Sequence, residues 1–551
     1  MTARIAADYV IVGAGSAGCV LANRLSANPS NRVLLLEAGH DDRPLRRPSQ
    51  FLSNLNIQIP AGWTRLLADP AVNWNFLSAP EPGVGGRVLA LPRGKVLGGS
   101  SAINGMVYMR GLPSDYETWR QLGCTGWGWD DVLPIFKRME HAPFGDPAVR
   151  GRGGPLRIRK AEDCGATMDA LIKATLEAGL SQTDDYNGLT PDGVTNAQQN
   201  SYRGVRASAA AAYLHPVSNR KNLRIETGAL VSRVMIEDGR AVGVEFERNG
   251  VVTRVDAAAE VILCGGAFNS PVLLELSGIG SGQRLQDLGI PVVADRPSVG
   301  ENLQDHYLVS VSARLKDGTQ SLNGSSAGWP LAKAFAEYAL LRRGLLASAS
   351  CTINGYARTR PDVDIPDMQL MSSAGTVDLA ATMSTGAVTL DSKPGLTIGG
   401  WVLRPESRGF CHASSASPSA APAIQMNFLS TPADELDVVN MMRVIRSMFR
   451  QPSMVEMVEH ELGPIRDIPE DDIGALIRIC REIGTSGYHP VGTCRMGGDD
   501  ESVVDPQLKV RGITGLRVAD ASVMPRLTSG NTNAPTMMIG EMASDLILKS
   551  A

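Results

Sequence analysis

The sequence has almost no excess of charge of either sign and no long apolar run. Its 53 Lys and Arg residues nearly balance its 57 Asp and Glu residues, which leaves a formal net charge of −4. A chain this close to neutrality lacks the basic surface that binders of nucleic acid or anionic membranes usually carry. Charge therefore indicates no polymeric partner. The absence of any stretch of about 18 apolar residues excludes a predicted transmembrane segment.

Metal-binding and targeting patterns are also missing. The eight cysteines are scattered without a CxxC or Cys/His spacing, so the sequence predicts neither a metal site nor a disulfide framework. The N-terminus passes straight into a strand-like run without the apolar core of a signal peptide, and we expect a cytoplasmic location by default. Hydrophobic residues (43%) and charged residues (20%) have the balance of a globular enzyme. A chain of 551 residues predicts about two domains.

What the sequence does have is glycine, 58 residues placed in short clusters. The first cluster contains Gly13, Gly15 and Gly18 in a GxGxxG spacing, after a strand-like apolar run and before a helical pattern. In this arrangement the glycines allow the tight turn, the close approach of a pyrophosphate and the packing of helix on strand, respectively. Glu37 ends the next strand and is expected to bind the adenosine ribose. An acidic residue there disfavours a 2′-phosphate, which leaves FAD or NAD.

Two further glycine-rich segments predict more of a ligand site. Residues 93–105 are too long and too rich in small side chains for an ordinary turn, and they lack the GxxxxGK sequence of a P-loop. Residues 265–280 follow a strand-like run and lead into a helix near Pro271. Strand-like runs between residues 222 and 263 are separated by turn signals and predict an antiparallel excursion that returns to the nucleotide sheet. Beyond residue 308 the texture changes to amphipathic helices with interspersed strands, which predicts a second domain.

These three segments, the second of them extended to Gly111, and two C-terminal runs together resemble the glucose–methanol–choline (GMC) flavoprotein oxidoreductases. The C-terminal runs are residues 489–497, HPVGTCRMG, and 530–536, GNTNAPT. All five segments occur in the family's order and span nearly the whole chain. The resemblance implies an α/β fold, with a Rossmann-like FAD-binding domain and a second, α+β substrate domain on a mostly antiparallel sheet. The implied boundaries are 1–160, 200–307 and 485–551 for a discontinuous FAD-binding domain and 161–199 and 308–484 for the substrate-binding domain.

The resemblance also assigns residues to FAD. It implies that the fingerprint glycines and Glu37 hold the ADP half, that Val231 contacts adenine through its backbone, and that Asp520 contacts the ribityl chain or pyrophosphate. The loop from Gly98 to Asn104 would border the isoalloxazine. Some relatives attach FAD through a histidine in this loop where this chain has Ile103, so we predict non-covalent FAD. The full set of predicted cofactor-binding residues is Gly13, Gly15, Gly18, Glu37, Arg93, Gly98, Gly99, Ser100, Asn104, Gly105, Val231, Asp520 and Thr536.

The same comparison of motifs points to two catalytic residues. His489 matches the family's active-site histidine, and Asn533 matches a second position that is His in some members and Asn in others. A histidine with a pKa of about 6.5 is largely neutral at pH 7 and suits removal of the hydroxyl proton. Asn533 is expected to bind the substrate oxygen, next to a helix that starts near Pro535 and points its positive end at the flavin. For His306 we favour a structural or domain-bridging role.

These residues predict FAD-dependent oxidation of a primary alcohol, with aryl and other apolar-bodied alcohols as candidates. The alcohol would be deprotonated with the help of His489 and would transfer hydride to flavin N5, giving the aldehyde. Oxygen, a quinone or a redox protein is the electron acceptor, with a dehydrogenase preferred over an alcohol oxidase; the oligomeric state is open. A non-redox hydroxynitrile lyase that retains FAD is an alternative. A nicotinamide-dependent dehydrogenase would use the first fingerprint and leave the other four segments unexplained.

Overall fold

The computed structural model describes residues 5–162, 165–325, 328–378 and 389–550, and it contains two large β-sheets. The first sheet is mostly parallel and the second is antiparallel in its described strands. Helices pack on both sheets. This arrangement confirms the predicted α/β fold with a Rossmann-like part and a substrate part on an antiparallel sheet.

The first sheet is built around the N-terminal strand, Ile5–Val12. This strand lies in parallel between Val33–Glu37 and the second part of the long strand Val251–Leu263. All five residues of Val33–Glu37 are buried, as expected of a strand covered on both faces. The strand order is Leu223–Thr227, Val33–Glu37, Ile5–Val12, Val251–Leu263, Arg240–Arg248 and Leu230–Glu237, with Leu516–Val518 also beside Val251–Leu263.

The long strand Val251–Leu263 explains the predicted antiparallel excursion. Its first part pairs antiparallel with Arg240–Arg248, which in turn pairs with Leu230–Glu237. Its last residues, 261–263, lie in parallel beside Leu516–Val518. One strand therefore belongs to both the meander and the nucleotide-binding part of the sheet.

The second sheet carries the other wall of the site. Its strand order is Ile353–Ala357, Met368–Ser373, Gly395–Val402, Tyr307–Leu315 and Val458–Glu461, with Thr485–Ser486 beside the start of Tyr307–Leu315. Helix Pro432–Phe449 packs against its two central strands. All described strands of the first sheet fall in the segments predicted for the FAD domain. Thr485–Ser486 lies at the start of residues 485–551, a segment predicted for the FAD domain, but pairs with the second sheet.

Two helices position the nucleotide end of the site, the fingerprint helix Ser16–Leu25 and the C-terminal helix Asn533–Ser550. They pack closely, since a Cβ on Gly540 would lie 2.9 Å from the carbonyl oxygen of Ala17. The C-terminal helix begins two residues before the predicted start near Pro535. No helix in these described ranges is long and apolar enough to cross a bilayer. The other α-helices are Phe51–Gln58, Trp63–Leu66, Pro113–Gln121, Trp129–Met139, Ala166–Glu177, Gly266–Leu276, Gly282–Asp287, Gly328–Leu341, Pro432–Phe449, Pro452–Val455 and Ile473–Ile483.

Short strand pairs tie the connections together. They are Phe76–Leu77 with Ala90–Leu91, Glu140–His141 with Leu156–Arg157, Arg159–Lys160 with Gln198–Gln199, Ser201–Tyr202 with Val205–Arg206, Ile279–Gly280 with Ala294–Asp295, and Phe410–His412 with Ala423–Gln425. A further strand, Gly193–Asn196, lies against Ile353–Ala357.

Candidate active site

A cavity of about 700 Å³ is lined by both sheets. It includes the carboxyl ends of Ile5–Val12 and Val33–Glu37, which is where open α/β sheets bind ligands, and it reaches Trp401 on the second sheet. Most of the predicted site residues meet here, although they come from distant parts of the chain. Those that line the cavity are Gly13, Gly15, Glu37, Arg93, Gly99, Ser100, Asn104, Gly105, Val231, His489, Asp520, Asn533 and Thr536.

The fingerprint glycines are required by contacts as well as by backbone conformation. Gly13 has φ +100°, and a Cβ there would lie 2.4 Å from the carbonyl oxygen of Cys264. A Cβ on Gly18 would lie 1.9 Å from the carbonyl oxygen of Gly13, so Gly18 serves helix packing and does not line the cavity. At Gly15 the nearest atom to a Cβ is 3.9 Å away, which leaves open space for a ligand against the backbone.

Gly98 is the other predicted cofactor residue that does not line the cavity. It has φ +91°, and its Cβ position faces Ala210 at 3.3 Å. Its neighbour Gly99 faces the fingerprint instead, since a Cβ there would lie 2.6 Å from the Cα of Gly15. The glycine loop and the fingerprint turn are therefore packed backbone to backbone.

Glu37 lies buried at the end of its strand and organises the turn around it. Its two carboxylate oxygens accept hydrogen bonds from the amides of Ala14 and Gly39, each at 2.8 Å. Burial raises the pKa of Glu37 to about 7, against the lowering effect of those amides. Additional hydrogen-bond donors, such as ribose hydroxyls, would favour the ionised carboxylate further.

The cavity walls fit FAD in their open backbone and in one unsatisfied amide. A Cβ on Gly105 or Gly266 would meet nothing within 4 Å, so the backbone there is open to a ligand. The side-chain oxygen of Asn533 accepts a hydrogen bond from Ser16 at 2.9 Å, while its buried Nδ2 has no partner among the described residues. A buried donor without a partner costs free energy, and an acceptor-rich cofactor in the cavity would satisfy it.

Asp520 is buried on the cavity wall and holds the third glycine segment in place. Its carboxylate accepts from the amide of Gly266 at 2.8 Å and from the hydroxyl of Ser270 at 2.6 Å. The other oxygen accepts from the amide and hydroxyl of Ser522. Burial raises the pKa of Asp520. The predicted cofactor contact of Asp520 stays a prediction.

The residue that contacts His489 is Asn531, two positions before the predicted Asn533, whose catalytic role stays a prediction. Asn531 Nδ2 lies 2.9 Å from His489 Nε2, and both residues line the cavity. Asn533 begins the C-terminal helix and turns towards Ser16. The motif contains two asparagines separated only by Thr532, and the turn into the helix decides which of them faces His489.

His306 contacts His489 directly, and the sequence did not predict this contact. The Nδ1 atoms of the two histidines lie 3.0 Å apart, and His306 Nε2 lies 3.2 Å from the carbonyl oxygen of Leu403. Because a carbonyl only accepts, the proton of neutral His306 belongs on Nε2, and its bare Nδ1 accepts from His489 Nδ1. His489 Nε2 is then unprotonated and faces Asn531 in the cavity.

The environment keeps His489 neutral. Burial lowers the pKa of His489 well below its usual value, and His306 and the cationic Arg93 lower it further. Burial likewise lowers the pKa of His306 to about 3. Burial lowers the pKa of Arg93 only to about 10, so Arg93 remains charged at neutral pH. The bare Nε2 of His489 is therefore available as a base across the physiological range.

The loop that carries His489 is fixed by Asp305. The carboxylate of Asp305 accepts from the backbone amide of His489 at 2.7 Å and from the hydroxyl of Ser486. Burial raises the pKa of Asp305 to about 6. Tyr488 adopts φ +65°, and its carbonyl oxygen accepts from Arg93 at 2.7 Å. Charge-assisted bonds on both sides thus hold a backbone conformation that is uncommon for a bulky residue.

Apolar side chains line the part of the cavity next to His489. The ring of Trp401 lies edge-on to His489, with centroids 5.1 Å apart, and stacks on His306 at 5.7 Å. Leu308 and Met371 line the cavity and pack against the Trp401 cluster while remaining partly exposed. This end of the cavity suits an apolar substrate body.

Comparisons with known proteins found matching family models and relatives over most of the chain. Two family models described as GMC oxidoreductase match the chain, over residues 7–308 and 405–540. An oxygen-dependent choline dehydrogenase of Rhizobium johnstonii is 41% identical over 548 residues, covering 98% of this chain and 95% of the relative. An alcohol dehydrogenase (acceptor) of Pseudomonas putida is 39% identical over 557 residues, covering 98% and 96%.

A solved structure shows the same fold. A formate oxidase variant from Aspergillus oryzae, studied for modification of its FAD, superposes with a TM-score of 0.90 at 27% identity, covering 100% of this chain and 99% of the other. The matched region includes the fingerprint, the glycine loop and the segments around His489 and Asn531.

Proposed function

The chain belongs to the GMC oxidoreductase family, and from that premise we propose that it oxidises a primary alcohol with an uncharged, apolar body to the aldehyde. As a family member it is an FAD-dependent enzyme that acts on CH–OH groups. The observation that carries the proposal is the contact between His489 Nε2 and Asn531 Nδ2 on the cavity wall. It pairs a bare base with a hydrogen-bond donor, which together match an alcohol hydroxyl.

The hydroxyl replaces the direct contact between the two side chains. It donates its proton to His489 Nε2, while its oxygen accepts from Asn531 Nδ2. As the proton moves, His489 becomes cationic, and its Nδ1 continues to donate a hydrogen bond to His306. The glycine segments, Glu37 and Asn533 would hold FAD, which when bound would supply the hydride acceptor. The alcohol has then lost one proton and one hydride, and the aldehyde leaves.

The charges around the cavity argue against a cationic alcohol such as choline. The carboxylates among its described lining residues are Glu37 and Asp520, and both lie at the nucleotide end with amide partners. Asp305 does not line the cavity. The charged side chain that acts on His489 is a cation, Arg93. A quaternary ammonium bound there would lose its hydration without a counter-charge.

Two of the tryptophan rings on the wall, Trp74 and Trp401, are already occupied by other side chains. Trp74 stacks on Phe76 with centroids 5.6 Å apart, and the ammonium of Lys95 already lies 4.5 Å from its ring centre. Trp401 is stacked on His306. Recognition of quaternary ammonium by aromatic rings needs open faces. These contacts support a neutral substrate although several relatives of the chain are choline dehydrogenases.

The test compares choline with its carbon isostere, 3,3-dimethylbutan-1-ol. The two alcohols have the same shape and differ in charge, so their ratio of kcat/KM isolates the electrostatic preference. We expect the neutral alcohol to be favoured about 100-fold, equivalent to roughly 3 kcal/mol. Leu308→Glu should reduce the preference in kcat/KM for the neutral alcohol over choline. Leu308→Gln, its neutral control, should leave that preference unchanged. A preference of the wild type for choline would overturn the proposed substrate class.

The same assays test the reaction type and the acceptor. Alcohols that bleach the flavin under nitrogen are oxidised by it; a lyase would leave the flavin oxidised. Turnover in air with stoichiometric peroxide would identify an oxidase, and dependence on an artificial acceptor would identify a dehydrogenase. We also propose that FAD is dissociable, because Ile103 on the cavity wall offers no group for attachment. Acid precipitation should therefore leave FAD in the supernatant; a yellow precipitate would contradict this.

A further inference from the structure

Large apolar side chains are exposed on two neighbouring segments, and we refer to them as the apolar patch. Leu52, Trp329 and Leu340 keep 73%, 80% and 81% of their surface exposed. Isolated exposed apolar residues are ordinary, whereas a concentration of them marks an interaction surface. The patch consists of Leu45, Phe51, Leu52, Trp329, Phe335, Leu340 and Leu341.

The two segments are held side by side by a small core of their own. Leu55 comes from helix Phe51–Gln58, and Ala334 and Tyr338 come from helix Gly328–Leu341; all three join a cluster with Ile59 and Leu346. The hydroxyl of Tyr338 is further anchored on the carbonyl oxygen of Gly204. Since the inner sides of both segments are used in this cluster, their exposed apolar residues point away from it into solvent.

Basic side chains accompany the apolar ones. Arg46, Arg47, Lys333, Arg342 and Arg343 are exposed. Within residues 43–52 and 328–343 the acidic residue is Glu337, which lies 3.7 Å from Arg343. The net charge of −4 for the whole chain gave no sign of this local excess, because the compensating acids lie elsewhere. Apolar residues with a basic surround are typical of surfaces that lie in the headgroup region of anionic membranes.

The patch adjoins the active-site cavity. Helix Trp63–Leu66 follows directly on the patch segment, and Trp63 Nε1 donates to Ser350 Oγ at 3.0 Å. Both residues line the cavity. Ser350 lies shortly after Leu346 of the small core. Two residues of the cavity wall are therefore close in sequence to the segments that carry the patch.

We propose that the apolar patch docks the protein on the surface of an anionic phospholipid membrane. Trp329 and the leucines enter the boundary between headgroups and acyl chains, while the arginines and Lys333 contact lipid phosphates. The inference stands on the surface itself and does not depend on the proposed reaction.

The test uses the full-length, FAD-loaded protein and vesicles of phosphatidylcholine alone or with 30% phosphatidylglycerol. We expect flotation with the anionic vesicles to exceed that with neutral ones at least tenfold, and to fall as salt rises. Trp329→Ser with Leu340→Ser, and separately Arg342→Gln with Arg343→Gln, should each reduce binding at least fivefold. Val251→Ser with Val252→Ser, exposed at 63% and 50%, and Lys221→Gln with Lys509→Gln are matched controls that should bind like the wild type.

Other outcomes would overturn the proposal. Failure of the wild type to bind anionic vesicles would contradict it directly, as would equal loss of binding in the control variants. A dimer in solution that Trp329→Ser with Leu340→Ser dissociates would assign the patch to a second copy of the chain. Turnover of a water-soluble alcohol with a soluble acceptor, which should be unchanged in the patch variants, shows that the variants are folded.

Discussion

His306 Nδ1 lies 3.0 Å from His489 Nδ1, and this contact determines which nitrogen of His489 can act as a base. The carbonyl oxygen of Leu403 can only accept a hydrogen bond, so the proton of His306 lies on Nε2. The bare Nδ1 of His306 then accepts from His489 Nδ1, which leaves His489 Nε2 unprotonated beside Asn531. In the proposed reaction His306 is thus a positioning residue, which would act on the substrate through His489.

Replacing His306 should slow the reaction without removing the cofactor. His306→Leu leaves the Nδ1 proton of His489 without an acceptor, so the ring loses both its tautomer and its orientation. We expect kcat/KM to fall about 10- to 100-fold, by analogy with the loss of groups that orient catalytic histidines, at unchanged flavin content. His306→Asn can still accept from His489 and should recover part of the rate.

The control for this series is the partly exposed His460→Leu, which should behave like the wild type. The pH dependence of kcat/KM is the second readout, because a purely structural defect lowers the rate equally at all pH values. A His306→Leu variant with wild-type rates and an unchanged pH profile would contradict the assignment of protons to the two histidines.

The two asparagines of the C-terminal motif should have separable effects. Asn531→Asp places a carboxylate against His489 Nε2, which stabilises the imidazolium and removes the free base; we expect kcat/KM to fall at least about 100-fold. Asn533→Asp adds charge next to Ser16 and should mainly weaken FAD retention. Titration of the apoproteins with FAD and single-turnover reduction of the reloaded enzymes distinguish the two. If instead Asn533→Asp slowed the reaction and Asn531→Asp weakened FAD retention, Asn533 would be the substrate-binding residue, as predicted from the sequence.

The pH profile should show no inflection near 6.5 from His489. Its pKa lies well below that value because of burial, His306 and Arg93, so the base stays deprotonated as the pH falls from 9 through 6.5. An unperturbed histidine would cost about half of kcat/KM at pH 6.5. Arg93→Met removes a cation that disfavours the imidazolium and should therefore move the acidic inflection upwards. A downward shift in that variant would contradict the electrostatic account.

Local patterns in the sequence were enough to bring together most of the residues predicted for the nucleotide end, which line one cavity. Gly13, Gly15 and Glu37 lie within one strand–turn–helix–strand unit, where short-range geometry determines their positions. His489 was recognisable from its motif. Asn531 and Asn533 flank a single residue, and spacing alone does not say which of them points at the histidine. That choice depends on the start of the C-terminal helix, which lies two residues earlier than predicted.

Contacts between distant residues could not be predicted in this way. His306 and His489 are 183 positions apart, and their contact depends on how the second sheet meets the glycine segments. The apolar patch was hidden for a related reason. The segments that carry Leu52 and Trp329 meet in a shared core, and overall composition and charge do not report the local concentration of apolar and basic groups on them.

A buried histidine away from the active site gives a test of stability. His412 contacts Glu275 at 2.8 Å and Glu301 at 3.0 Å through its two ring nitrogens. Burial alone would lower the pKa of His412, but the two carboxylates outweigh it and raise the pKa. The charged ring therefore stabilises the fold fully below about pH 6.5. This contribution is lost as the pH rises through the raised value.

His412→Gln should be destabilised by about 3 kcal/mol at pH 6, because it leaves Glu275 buried without its cation. The difference from the wild type should shrink at pH 9, where the wild-type ring is neutral. Urea unfolding of the FAD-loaded proteins at the two pH values measures the difference. An equal difference at both pH values would show that the ring is not charged in the folded protein.

Single-turnover reduction of the flavin under nitrogen by 3,3-dimethylbutan-1-ol, in the wild type and in His489→Gln at equal flavin content, tests the central claim most directly. If His489 Nε2 takes the hydroxyl proton, the wild type bleaches completely and the variant does so at least about 100-fold more slowly. Bleaching of the variant at the wild-type rate would contradict the assignment of His489 as the base.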